Sequence, residues 1–283
     1  MRKITKAVIP AAGHGTRFLP VTKAVPKEML AIIDKPAVHY IAQEAADSGI
    51  TDILFVVSRD KAAIKNYFSA GGAGGDELDE LLRRVRVDFA YQDEATGTAG
   101  AVKLAREFTG DDAFAVMYGD DVIVNEGGKP CVAQLAEVYY NTGKPVLGVQ
   151  ERPEEEATKY AVIKKGRTEG RCTEVLGIAE KPAIGNMASN LCSLGRYILT
   201  PAVYDAIERA PLFRGERYLT HAIELMIPEG VYAYDFEGTR YDLGDKFGFL
   251  QANVEEGLRR YGDKLASYLR GLLSDGSDGK TER

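Results

Sequence analysis

The feature that most limits how this chain can fold lies between Lys6 and Pro36, where a short apolar run empties into a basic, glycine-rich loop. Ala7-Val8-Ile9-Pro10-Ala11-Ala12 has the length of a buried strand. Gly13, His14, Gly15, Thr16 and Arg17 follow, with little steric bulk and one fixed positive charge. Lys23 and Lys27 add two more charges, and Pro20, Pro26 and Pro36 prevent a long helix. Backbone N–H groups in such a loop can surround phosphate oxygens; glycine permits close approach and arginine offers a planar fork. On these residues alone, a plain turn is an equally good reading. Two phosphate motifs are excluded. No Gly-Lys-Ser/Thr closes a Walker loop, and Phe18 stands where a dinucleotide fingerprint needs its third glycine, which argues against an NAD-dependent dehydrogenase.

Beyond the loop, strands and helices alternate. Val38, Ile41, Ala42 and Ala45 share a helical face, so residues 37–48 read as a helix closed by Gly49. Strands are expected at 52–58 and 85–91, and helices at 61–68 and 77–84, with Gly71–Gly75 as a surface loop. A helix is expected at 101–108, a strand at 113–118, a helix at 130–142 and a strand at 145–151. This alternation implies parallel strands with right-handed crossovers, whose ligands collect at the carboxyl ends of the strands. The opening loop occupies such an end. Residues 151–169 are highly charged and read as an exposed excursion containing a short strand at 160–163. Thr200 is expected to cap a helix with Pro201 at its first position, and a strand is expected at 231–236. An amphipathic helix should close the fold near Leu273, leaving a disordered tail of glycine, serine and charge at 274–283.

Charge and composition narrow the partners. The net charge of −6 argues against nucleic acid, so the local basic clusters point to a small anionic ligand. No apolar run approaches membrane-spanning length, and the N-terminal one is too soon broken for a signal peptide. Cys131, Cys172 and Cys192 suggest neither a disulfide framework nor a zinc site, which favours the cytoplasm. His14, His39 and His221 have no ligand spacing, and His221 reads as a surface or packing residue. Asp120 and Asp121 end an apolar strand after Gly119. They could cap the next turn; near a phosphate loop they could also hold Mg²⁺, which takes one or two carboxylates plus phosphate oxygens.

Several segments, in order, carry a resemblance. Gly13-x-Gly15-Thr16-Arg17-x-Leu19-Pro20, Pro26-Lys27-Glu28-Met29-Leu30 and Asp34-Lys35-Pro36 are followed by Gln92 with Gly97 and by Gly119-Asp120-Asp121. Tyr160-Ala161-Val162, Glu180-Lys181-Pro182 and Tyr241-Asp242-Leu243-Gly244 complete the set, and the match runs from Lys6 to about Leu258. This pattern resembles the sugar-1-phosphate nucleotidylyltransferases, in the version of the bacterial UTP–glucose-1-phosphate uridylyltransferases.

The resemblance implies one α/β domain over residues 1–273, built on a Rossmann-like mixed, mainly parallel sheet with flanking helices. Its N-terminal half would bind the nucleotide and its C-terminal half the sugar phosphate. Ala12, Gly13, Gly15 and Glu28 would surround the nucleotide, with Arg17 on its β- and γ-phosphates and Lys27 on the α-phosphate. Gln92 and Gly97 would hold the base, Ala161 and Glu180 the sugar, and Lys181 its phosphate. Asp120 and Asp242 would bind Mg²⁺. The implied substrates are UTP and glucose 1-phosphate, and the implied assembly is a homodimer or homotetramer.

The chain departs from the family pattern in places. Gly97-Thr98-Ala99-Gly100 replaces the usual Gly-Leu-Gly-His, Ala161 replaces a glycine, and Tyr218 and His221 replace a glutamine and an aspartate. A related enzyme using dTTP or another sugar phosphate is the alternative within the family. A non-catalytic sensor of sugar nucleotides is the alternative outside it, and would be expected to lack the acids or lysines present here.

Overall fold

The computed structural model describes residues 2–69, 76–94, 96–213 and 215–275. Its centre is a nine-stranded sheet with strands β1 (Lys6–Pro10), β2 (Asp52–Val57), β3 (Arg86–Tyr91), β4 (Phe114–Met117), β5 (Val146–Glu151), β6 (Ala161–Glu169), β7 (Cys172–Glu180), β8 (Leu191–Leu199) and β9 (Tyr232–Asp235). They lie in the order β3-β2-β1-β4-β8-β5-β9-β7-β6.

Strands β3, β2, β1 and β4 are parallel, as the βα alternation requires. Beyond them the sheet is mixed, because β8 runs antiparallel to both of its neighbours, β4 and β5. β6 and β7 are antiparallel as well, joined by a tight turn at Gly170 that can only return the chain in that direction.

Alternating side chains fill a core on each face. Ala7 and Ile9 of β1 pack with the helix Ala37–Asp47, whereas Val8 packs with Val102 and Tyr204 on the opposite side. All nine residues of β8 are buried, as befits a central strand covered on both faces.

Some local expectations change. The segment 151–169 is an integral sheet edge, with a short helix at Glu154–Ala157 and the nine-residue β6 in place of a four-residue strand. Pairing with β7 sustains this length despite the charge: Ala161, Val162 and Ile163 are buried, and the charged remainder from Lys164 onward faces solvent for most of its length. The helix expected at 101–108 starts earlier, at Gly97–Lys103, and a separate turn follows at Arg106–Thr109. Thr200 does not cap through its side chain: its carbonyl accepts the Val203 N–H at 3.0 Å, and the helix is Ala202–Arg209. The closing helices are Lys246–Tyr261 and Asp263–Asp275, so helix continues two residues into the expected tail. The rest of that tail and the loop Gly71–Gly75 lie outside the described residues. The three cysteines are free, and among the described residues no helix is long and apolar enough to cross a membrane.

Candidate active site

A cavity of about 840 Å³ opens where the carboxyl ends of β1 and β4 face the β6–β7 half of the sheet. It is lined by Ala12, Gly13, Arg17, Lys27, Glu28, Gln92, Gly97, Asp120, Ala161, Glu180, Lys181 and Asp242. Gly15 is not among the lining residues. Its left-handed φ of 64° serves the turn, and its carbonyl accepts the Thr22 hydroxyl at 2.9 Å.

Two adjacent parallel strands place the loop and the acids together. The Gly119 N–H donates to the Pro10 carbonyl at 3.1 Å, so the turn after β4 lies directly on the end of β1. A Cβ on Gly119 would fall 3.0 Å from that carbonyl, which accounts for the glycine. The chain then leaves the sheet as Asp121–Val124, pairing antiparallel with Thr239–Asp242 in a register that sets Asp121 opposite Asp242. That pairing brings the two predicted metal acids together across 122 residues of sequence.

Asp120 Oδ2 and Asp242 Oδ1 each lie 3.0 Å from the point a Cβ on Gly244 would occupy. The two carboxylates thus converge above a bare backbone, and the Lys27 ammonium already pairs with Asp120. Among the described residues no group of three or more His, Cys, Asp or Glu could hold a metal. Two carboxylates beside a phosphate loop nevertheless suit Mg²⁺, which completes its shell with phosphate oxygens and water. The donor set fits the ion.

Charge balance around these acids is tight. Burial works against the Lys27 ammonium, but Asp120 and Glu28 outweigh it and hold the pKa above the usual lysine value. Burial raises the Asp120 carboxyl, an effect overcome by Lys27, so that it titrates below the ordinary aspartate range. Burial pushes Asp121 up to about 6 in spite of Arg240, and the charges of Asp120 and Asp242 add to the rise.

Three residues to which sequence reasoning assigned no role hold the site in shape. Lys61, buried at the start of the helix Ala62–Ser69, donates to the carbonyls of Ala11 and Gly13 at 2.6 Å each and to both oxygens of Glu28 at 2.9 and 2.8 Å. Arg240 pairs with Asp121 and reaches Tyr160 Oη at 2.9 Å. Tyr160 in turn donates to Asp242 Oδ2 at 2.8 Å. No local motif separates Lys61 from a solvated lysine; its burial depends on the glycine-rich loop packing over it.

Just after β7, Lys181 has a left-handed φ of 47° and its N–H donates to the Tyr160 carbonyl at 3.1 Å. Its ammonium lies 3.7 Å from Glu180 Oε1 and 5.8 Å above the Tyr218 ring. Glu180 accepts the Thr220 hydroxyl at 2.7 Å. Gln92 donates to Thr96 Oγ1 at 2.8 Å and to the Gly97 carbonyl at 3.2 Å, so one side chain braces the whole connection. That connection is laced to the segment before helix Leu219–Met226: Ala99 N–H donates to the Arg217 carbonyl at 3.1 Å, and the Leu219 N–H to Thr98 Oγ1 at 3.0 Å. His221 is a packing residue, its ring edge-on to Phe213 and Tyr218.

Basic groups from both halves of the chain, lining one cavity with two converging acids beside the carboxyl end of a parallel strand, define an α/β protein built to handle phosphorylated ligands. Comparison with known sequences agrees, a family profile matching residues 6–257. The chain belongs to the nucleotidyl transferase family. It is 44% identical over 277 residues to the UTP–glucose-1-phosphate uridylyltransferase of Staphylococcus epidermidis, covering 92% of this chain and 94% of that one. Among solved structures it is similar to a UDP-glucose pyrophosphorylase complexed with UDP-glucose, with a TM-score of 0.86 and 30% identity over 90% of this chain and 99% of that one. It is also similar to a UTP-bound UGPase from Acinetobacter baumannii, with a TM-score of 0.83 and 31% identity over 95% and 98% of the two chains.

Proposed function

We propose that the protein transfers a uridylyl group from UTP to glucose 1-phosphate, forming UDP-glucose and pyrophosphate. The observation that carries this reading is that Arg17 and Lys27 of the opening loop line one cavity together with Asp120, Asp242, Glu180 and Lys181. Relatives bearing this activity in their names, 43–44% identical over nearly the whole chain, support it.

The chemistry follows from charge. A phosphate oxygen of glucose 1-phosphate attacks the α-phosphorus of UTP in line; the bond from that phosphorus to the bridging oxygen breaks, and pyrophosphate leaves with the electron pair. A phosphate monoester is already nucleophilic near neutral pH, so no serine, cysteine or histidine relay is required. Positioning and neutralisation of two polyanions supply the rate.

Arg17 steadies the β- and γ-phosphates, and its anchor on the Gly244 carbonyl at 3.0 Å ties the loop to the acids. Lys27 exchanges its pairing with Asp120 for the α-phosphate. Lys181 holds the sugar phosphate and Glu180 the sugar hydroxyls. Asp120 and Asp242 would hold Mg²⁺, whose charge would offset that of the phosphates. Gln92 and Gly97 receive the base, and Ala161 borders the sugar. The first half of the chain thus serves the nucleotide and the second half the sugar phosphate. We assign the protein to the cytoplasm. A homodimer or homotetramer is supported by the exposed Phe247, Leu250, Tyr268 and Leu273 of the two closing helices.

The test is pyrophosphate release from UTP, dTTP, ATP, CTP and GTP, each with glucose 1-phosphate and Mg²⁺. Strong preference for UTP is expected. Preference for dTTP would retain the mechanism and change the base, a reading favoured by the unusual Gly97-Thr98-Ala99-Gly100 connection. Silence with every base and with other sugar phosphates would favour a sensor.

A further inference from the structure

The Tyr160 side chain lies between two parts of the cavity that the proposed reaction must align. Its hydroxyl accepts from Arg240 Nη1 at 2.9 Å and lies 2.8 Å from Asp242 Oδ2. A guanidinium can only donate, so the tyrosine proton must point toward Asp242. The other Asp242 oxygen, Oδ1, accepts the Gly244 N–H at 2.9 Å. Each carboxylate oxygen therefore has its own donor, and the plane of the group is set.

The donor itself is held rigidly. The Arg240 guanidinium sits 4.6 Å over the Tyr160 ring, pairs with Asp121, and is nearly fully buried. Tyr160 also meets the sugar-phosphate end, since its carbonyl receives the Lys181 N–H. One residue thus touches the metal acid with its side chain and the sugar-phosphate lysine with its backbone.

We propose that Tyr160 is a positioning residue whose hydroxyl aims the Asp242 carboxylate at the metal site, with Arg240 fixing the direction of that hydroxyl. This rests on the assignment of Asp120 and Asp242 to the divalent cation. Donors behind a metal-ligating carboxylate typically govern affinity by about 10- to 100-fold. Lys181 is unaffected by loss of the hydroxyl, because its contact is to the carbonyl.

The test is Tyr160→Phe, which keeps the ring under Arg240 and removes only the hydroxyl. Mn²⁺ binding is titrated by electron paramagnetic resonance in the presence of UDP-glucose, where no turnover occurs. Binding about 10-fold weaker than wild type is expected. In steady-state assays the Mg²⁺ concentration for half-maximal rate should rise in parallel. The KM values for UTP and glucose 1-phosphate at saturating Mg²⁺ should stay within about twofold, a split that general loosening of the cavity would not produce.

Arg240→Lys keeps the charge and loses the fork, and should weaken Mn²⁺ in the same direction. Unchanged Mn²⁺ affinity in a folded Tyr160→Phe protein, beside a wild type that binds the ion, would overturn the role of Tyr160 alone. Failure of the wild type to bind Mn²⁺ would overturn this proposal and the metal assignment together.

Discussion

Lys61 Nζ lies 2.8 Å from Glu28 Oε2, and both side chains are almost completely shielded from solvent. The same ammonium gathers the carbonyls of Ala11 and Gly13, so one buried cation sets the path of the glycine-rich loop. Burial drives the two groups toward neutrality, pushing the Lys61 pKa down and the Glu28 pKa up, and their mutual attraction is the largest effect that opposes this. Removing Lys61 leaves Glu28 with only the more distant Lys27, at 4.0 Å, and takes the ammonium donor from the carbonyls of Ala11 and Gly13. Lys61→Met should lower the unfolding free energy by about 3–5 kcal/mol, the usual cost of breaking a buried pair from one side. Urea unfolding at neutral pH measures this, and a loss below about 1 kcal/mol would contradict it.

Asp120→Asn tests the centre of the site. The substitution preserves shape but removes the charge that pairs with Lys27 and would hold the cation. A fall in kcat on the order of 10²-fold or more is expected at saturating substrates and Mg²⁺. Near-normal turnover would remove Asp120 from the mechanism.

Lys181→Ala tests the sugar-phosphate end. One charge-assisted contact is lost, so the KM for glucose 1-phosphate should rise roughly 10- to 100-fold. The KM for UTP should hold steady, since Lys181 follows β7 whereas the loop assigned to the nucleotide follows β1. A rise confined to UTP would reverse the assignment of the two ends.

Gly97→Ala tests the base-binding connection. Gly97 has a left-handed φ of 81°, and an added Cβ would come within 2.4 Å of the Arg217 carbonyl. Left-handed backbone costs an ordinary residue about 1–3 kcal/mol, and here the collision adds to it. The connection must separate from the 217–219 segment, so a raised KM for the nucleotide is expected, with glucose 1-phosphate little affected. Unchanged nucleotide kinetics would show that this connection does not serve the base.

Much of the site was legible because its residues occur in short, spaced motifs at the ends of predictable strands. Arg17, Lys27, Asp120, Glu180, Lys181 and Asp242 all reach the one cavity. Lys61, Arg240 and Tyr160 were not assigned supporting roles, because their partners lie 33, 119 and 82 residues away. The charged segment 151–169 misled for a related reason. Its exposed charged stretch dominates the composition, while strand continues past the buried Ala161, Val162 and Ile163 only because β7 lies beside it.

By itself the sequence determined the βα alternation, the glycine-rich loop at a strand end and the charged side chains that line the cavity. These follow from local properties: side-chain periodicity, the steric freedom of glycine and the fixed charge of arginine and lysine. Only the tertiary structure decided that Asp121 pairs with Asp242 in register, that Lys61 is buried beneath the loop, and that the antiparallel β6–β7 hairpin carries Glu180 and Lys181 to the same cavity. Strand pairing and burial are set by contacts distant in sequence, and no local pattern encodes which partner a strand or a buried charge will meet.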